Sequence, residues 1–214
     1  MKKEKVQIFI DGGNFFHLVL KKLGIEEDKF LFDDFVKFLA NNREVVGKRY
    51  YIGAVREKEG DKKSKEKMSK QTKLFTVLKN NGWDVKTSKL RTRTERIKID
   101  DRVSNYQEFK RKKVYEIELT TMREKGIDVK LATDLIVGAV DDKYDTAILV
   151  SSDSDLIPAL DWIRTRKHKK IEYIGFSIID KKHKDKSTKP LLAMIRYADI
   201  QRVFVESDLR KFVK

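Results

Sequence analysis

Short apolar runs alternate with amphipathic stretches along most of this chain. Lys5–Ile10 reads as a buried strand that ends in the polar turn Asp11-Gly12-Gly13-Asn14. Phe15–Leu23 follows with Phe15, Phe16, Val19, Leu20 and Leu23 at helical spacing, and Gly24 stops it. Phe32–Leu39 predicts a second helix and Arg49–Val55 a second strand. A charge-rich helix then continues through Leu74, Phe75, Val77 and Leu78 to Asn80-Asn81-Gly82, and Trp83–Lys89 predicts a third strand.

The second half repeats the alternation. Leu90–Lys113 is basic and lacks a helical period, so a hairpin or a disordered segment is expected there. Val114–Leu119 alternates like a strand or opens the helical stretch after it. Ile127–Val140 predicts a helix and Asp145–Val150 a buried strand, followed by Ser151-Ser152-Asp153-Ser154-Asp155. Leu156–Arg166 predicts a helix, Lys170–Gly175 a strand, Lys181–Lys189 a charged loop, Pro190–Tyr197 a short helix with Pro at an early position, and Arg202–Val205 a last strand. Apolar strands that alternate with helices imply an α/β fold, a mainly parallel sheet covered on both faces. One domain over residues 1–214 is expected, with a basic insertion at about 90–113.

Composition narrows the chemistry. Lys and Arg outnumber Asp and Glu by 49 to 34, giving a formal charge of +15, a field that favours polyanions, nucleic acid or an anionic membrane, with a merely soluble basic surface as the plainer reading and nucleic acid preferred to it. The chain has no cysteine, which removes disulfides, thiolate zinc sites and a Cys nucleophile. Its three histidines, His17, His168 and His183, are far apart. The apolar run after the basic start is too short for a signal peptide, so a cytoplasmic protein is expected.

The candidate chemistry lies in carboxylates. Open parallel sheets place sites at the carboxyl ends of their strands. The first strand delivers Asp11, with Asn14 three residues on, and the strand ending at Val150 delivers Asp153 and Asp155. Asp128 sits where a helix N-cap belongs, and simple capping would explain it. Asp134 interrupts the apolar face of its helix, where a lone carboxylate needs a partner, structural or catalytic. Two carboxylates about 4 Å apart repel by about 4 kcal/mol at an effective dielectric near 20. Several in one crevice are tolerable only if protonated or neutralised by a cation, and oxygen-only ligands suit Mg²⁺ or Mn²⁺. Ser151, Ser152 and Ser154 read as capping residues rather than nucleophiles, since no His is near in sequence. Asp-Gly-Gly-Asn lacks the G-x-G-x-x-G of a dinucleotide site.

The segments Phe9-Ile10-Asp11-Gly12-Gly13-Asn14-Phe15, Lys125 through Asp134, and Ile148 through Pro158 together resemble the NYN domain, in its LabA-like branch, with Ala198-Asp199-Ile200 resembling the family's end. The resemblance implies a three-layer αβα sandwich of PIN-like topology and a metal-dependent endoribonuclease using Mg²⁺ or Mn²⁺. The family's acids map onto Asp11, Asp128, Asp134, Asp153 and Asp155. It implies metal binding by Asp11, Asp128, Asp153 and Asp155, and catalysis by Asp11, Asp128, Asp134 and Asp153. Asn14, Ser152 and Asp134 would orient water or ligands. RNA is the implied partner, and a homodimer is compatible with the reading. The alternative is an RNA-binding regulatory module of the same fold. Residues 89–113 carry ten Lys/Arg against four Asp/Glu. Arg91, Arg93, Arg96, Lys110, Arg111 and Lys112 there are candidate phosphate contacts, with Tyr106 and Phe109 for stacking, unless the segment is a solvated insertion. Arg56–Lys73 reads as a solvated face, and Trp83 and Trp162 as core or near-core residues.

Overall fold

A computed structural model of the chain describes residues 3–55, 60–180 and 184–214, with the backbone alone at 89–92, 122–124 and 184. Seven strands form one sheet: β1 (Lys5–Asp11), β2 (Glu44–Ala54), β3 (Asp84–Lys98), β4 (Glu116–Glu124), β5 (Thr146–Val150), β6 (Lys170–Ser177) and β7 (Ile200–Val205). Their spatial order is β4-β3-β2-β1-β5-β6-β7. The six strands from β3 to β7 pair in parallel, and β4 alone is antiparallel. Helices cover both faces, which makes the three-layer, PIN-like α/β sandwich that the pattern and the resemblance predict.

The period of two along each strand divides the core. Val6, Ile8 and Ile10 of β1, Tyr50 and Ile52 of β2, and Ile148 and Val150 of β5 join Phe15, Phe35, Leu39 and Leu78 on one face. Phe9, Tyr51, Ala147 and Leu149 join Leu131, Leu135, Leu160 and Ile163 on the other. The helix Ile127–Val140 lies on this second face, with the bounds the periodicity predicts. Full burial of β5, whose five residues are all inside, explains why its sequence is an uninterrupted apolar run.

Several elements depart from the sequence pattern. β2 begins five residues before Arg49, because its exposed start carries Gly47, which masks a strand in sequence. That glycine lets the Gln7 side chain approach: a Cβ there would lie 3.2 Å from it. β3 runs on to Lys98 instead of ending at Lys89, and pairs there with β4, which extends to Glu124. The basic stretch is thus the hairpin form of the expectation. It is longer than residues 90–113, and carries the helix Tyr106–Arg111 in its loop. Pro190 precedes the helix Leu192–Arg196 instead of opening it. Trp83 is buried, but Trp162 is 37% exposed and lies outside the core. The pattern gave no sign of the helix Glu206–Arg210, whose following residues return to pair Val213 with Phe30. The charged stretches at residues 56–59 and 181–183 fall outside the described residues. No helix among the described residues is long and apolar enough to cross a membrane.

Candidate active site

Strand order reverses at β1, where the chain passes to β2 on one side and β5 on the other, and such reversals open a crevice at the carboxyl ends of the strands. Asp11 is the last residue of β1. It lies opposite Tyr51 of β2, and one step beyond the Ile10–Val150 pair, which sets it beside Ser151. All three continue the odd-numbered series that faces the helix Ile127–Val140, so Tyr51, Asp11 and Ser151 form a row across three adjacent strands.

Asp11 is 6% exposed. Its Oδ1 accepts the Asn14 backbone N–H at 2.9 Å and so caps the helical segment of residues 12–23. Its Oδ2 accepts the Ser151 hydroxyl at 3.1 Å. The same Ser151 Oγ accepts the Asp153 backbone N–H at 3.2 Å. One hydroxyl therefore ties the end of β1 to the acidic turn after β5. Asn14 Oδ1 closes the ring by accepting the Ser152 backbone N–H at 3.0 Å. Asp153 caps the next helical turn by accepting the Asp155 N–H at 2.9 Å, and Asp155 is exposed. The Ser152 hydroxyl lies 3.0 Å from the Tyr173 hydroxyl, which in turn accepts the Leu191 N–H at 3.2 Å.

Gly12 is dictated by a close approach. A Cβ at that position would lie 2.4 Å from the Tyr50 ring, on the opposite face of the sheet from the Asp11 row. Tyr50 is fully buried and donates its hydroxyl proton to Glu27. Burial first, then the charges and hydrogen bonding of Glu27 and the charge of Asp11, hold the Tyr50 phenol well above its ordinary range. Burial likewise raises the Glu27 carboxyl, against the opposing hydrogen bond from Tyr50.

Asp134 has a structural partner. Its Oδ2 accepts the Tyr51 hydroxyl at 2.8 Å and lies 3.1 Å from Nη1 of Arg49. Burial and then the Asp134 carboxylate keep the Tyr51 phenol protonated and donating. Arg49 also lies over the Phe9 ring and 3.8 Å from Asp84. The base nearest the acidic motifs in sequence, Lys130, donates to the Thr87 carbonyl at 2.6 Å. The neutralising base is Arg49, which only strand register brings there. Asp128 is not an N-cap: Gly126, at φ 92°, takes that position and Asp128 stands exposed in the first turn.

The structure thus brings Asp11, Asn14, Ser152 and Asp153 together through Ser151, and links Asp134 to the same row through Tyr51. It assigns Asp128 and Asp155 to exposed helix starts. Among the described residues, no three acids or histidines stand close enough to form a metal cage. Mg²⁺ does not require one, since it commonly keeps several waters and binds through one or two carboxylates. The buried Asp11 carboxylate, Asp153, the Asn14 amide and the serine hydroxyls offer oxygen atoms, the donor type that ion takes. Sequence reasoning treated Ser151 as a cap and did not single out Tyr51 or Arg49, because their roles rest on cross-strand register.

Of the proposed phosphate contacts, Arg93 pairs with Glu95 at 2.6 Å and Lys112 with Glu108 at 2.7 Å. Arg96 lies 3.5 Å from Glu118, while Lys110 and Arg111 are exposed on the loop helix. The Arg91 side chain lies outside the described residues.

The family model for the NYN domain matches residues 5–199. A structure of a protein of unknown function from Vibrio parahaemolyticus RIMD 2210633 matches with a TM-score of 0.56 and 20% identity. The match covers 99% of this chain and 97% of that one, a likeness of fold. No curated protein matches the chain.

Proposed function

The chain belongs to the NYN domain family, whose fold is nuclease-like, and from that premise we propose that it is a metal-dependent ribonuclease acting at the Asp11–Ser151–Asp153 crevice. The observation that carries this reading is the buried Asp11 carboxylate at the strand-order reversal, joined to the Asp153 turn through the Ser151 hydroxyl. Asp11 and Asp153, with Asn14 beside them, would hold Mg²⁺ or Mn²⁺. When bound, such an ion supplies charge neutralisation at the phosphate and lowers the pKa of water. The chain's own residues fix the geometry: Ser151 and the Asn14 N–H orient Asp11, and Asn14 Oδ1 anchors the turn that presents Asp153. Asp134 supports the row from the side by accepting from Tyr51. The helical segments after β1 and β5 both start at the crevice, where Asp11 and Asp153 cap them by accepting the Asn14 and Asp155 N–H groups. Asp128 and Asp155 remain candidates for contacts to the ion or the substrate from the rim.

The test is incubation of labelled single-stranded and structured RNA with Mg²⁺, Mn²⁺ or EDTA, beside Asp11→Asn and Asp153→Asn. Cleavage that needs metal and disappears in both variants supports the reading. RNA binding with no cleavage under any condition overturns it in favour of an RNA-binding module. The engagement of Asp134 by Arg49 and Tyr51 is the observation that favours this second reading, because it occupies a carboxylate that the family resemblance implies in catalysis.

A further inference from the structure

β2 ends at Ala54, opposite Lys89, but β3 continues for nine further residues that pair with β4 alone. At about 3.4 Å per residue this two-stranded ribbon extends roughly 30 Å past the sheet. The direction of β3 is that of β1 and β2, so the ribbon leaves from the same carboxyl edge that carries Asp11. Its returning strand ends at Glu124, and the chain passes almost at once into the helix Ile127–Val140, whose first turn holds Asp128. The ribbon is therefore an arm rooted beside the crevice, two strands from β1.

Charge is unevenly spread along it. On the legs, Arg93 and Arg96 stand within ion-pair distance of the arm's own Glu95, Glu116 and Glu118. At the far end, Lys110, Arg111 and Lys113 are exposed and form no ion pair with an acid among the described residues. Tyr115 follows them by two residues in the chain, 64% exposed, and Lys110 Nζ lies 5.9 Å from the centroid of the Tyr106 ring on the same loop. Cations that track phosphate, next to an aromatic ring that accepts a base of any sequence, are the recognition chemistry of single-stranded nucleic acid.

We propose that the arm is a remote handle for single-stranded RNA, with Lys110, Arg111, Lys113 and Tyr115 gripping the strand while another part of it lies at the crevice. The choice of RNA rests on the nuclease reading given above. One strand carries a phosphate about every 3.4 Å, so spanning the arm takes roughly nine nucleotides. Affinity for the protein is then length-dependent, rising once an oligonucleotide is long enough to reach the tip.

The experiment measures binding rather than cleavage, by fluorescence anisotropy in EDTA. It uses Asp11→Asn protein with oligouridylates of about 5 and about 20 nucleotides. The arm variants are the charge reversal Lys110→Glu, Arg111→Glu, Lys113→Glu and, separately, Tyr115→Ala. The expected result is that the longer RNA binds more tightly than the shorter. The charge reversal should weaken the longer RNA about tenfold, and make its log–log salt dependence shallower by about 2, from three lost contacts at about 0.7 each. Tyr115→Ala should weaken the longer RNA without changing that slope. The shorter RNA, unable to span tip and crevice together, should lose less affinity than the longer in every arm variant. Equal loss for both lengths, or no loss for either, overturns the handle. So does tip-dependent binding to phosphatidylserine vesicles with none to RNA, or a shift in sedimentation that assigns the tip to a second copy of the chain. Tip-dependent RNA binding in a wild-type protein that never cleaves would leave the handle standing and remove the nuclease.

Discussion

Ser151 and Asp11, 140 residues apart in sequence, meet at the ends of adjacent parallel strands, where the serine hydroxyl donates to the aspartate at 3.1 Å. Both are buried, so each satisfies the other's hydrogen-bonding need in a place water does not easily reach. The same oxygen receives the Asp153 N–H, so the contact also sets the position of the second acid.

Ser151→Ala removes the donor to Asp11 and the acceptor for Asp153 N–H together. We expect a loss of about 1–3 kcal/mol in urea-derived stability, the ordinary consequence of leaving buried polar groups unpaired. RNA cleavage should fall by more than the unfolded fraction explains, measured at a denaturant-free temperature well below melting. Unchanged stability and unchanged activity would show that the hydroxyl organises nothing.

Asp134→Ala leaves Arg49 and the Tyr51 hydroxyl without their carboxylate. Removing one member of a buried ion pair costs about 3–5 kcal/mol. Here the side chains of Arg49 and Asp134 are 16% and 24% exposed, and solvent screening reduces the expectation to about 1–3 kcal/mol. Chemical unfolding of Asp134→Ala beside Arg49→Ala and the double variant checks this. The two single losses should not add, since each removes the same contact. Simple additivity would mean the pair contributes no coupling.

Glu27 gives a pH dependence of defined sign. Burial raises its carboxyl above the ordinary 4.5, so the folded chain holds a proton that the unfolded chain has released. The resulting stabilisation is fully present below about pH 4.5 and is lost as pH rises through the raised folded value. Stability of the wild type relative to Glu27→Gln should therefore decline as pH increases across that window. Urea unfolding of both proteins between about pH 4 and pH 8 measures the difference. A difference that grows with pH would reverse the sign and refute the assignment.

Metal binding at the crevice should stabilise the folded chain by mass action. At an ion concentration about 100-fold above Kd the gain is about 2.7 kcal/mol, or roughly 5–10 °C in Tm for a domain of this size. Mn²⁺ titration followed by calorimetry should show that rise, EDTA should reverse it, and Asp11→Asn should abolish it. A wild-type Tm indifferent to millimolar Mn²⁺ and Mg²⁺ would count against Asp11 as a ligand.

The chain by itself determined the alternation of strands and helices, since each periodicity is a direct record of which face is buried. It also singled out Asp11, Asn14 and Asp153 as candidates, because polar turns directly after apolar strands stand out against their surroundings. The arm was only half legible. Thr92, Thr94, Arg96 and Lys98 belong to a ribbon with no sheet face to bury, so no apolar period marks where β3 continues. What only the tertiary structure decided is who meets whom. Tyr51, Asp11 and Ser151 become one row through a parallel register, and a shift of a single residue would turn them to the other face. Arg49 reaches Asp134 for the same reason, and no local pattern in either segment encodes that pairing, because it arises from packing a helix over strands more than eighty residues away in sequence.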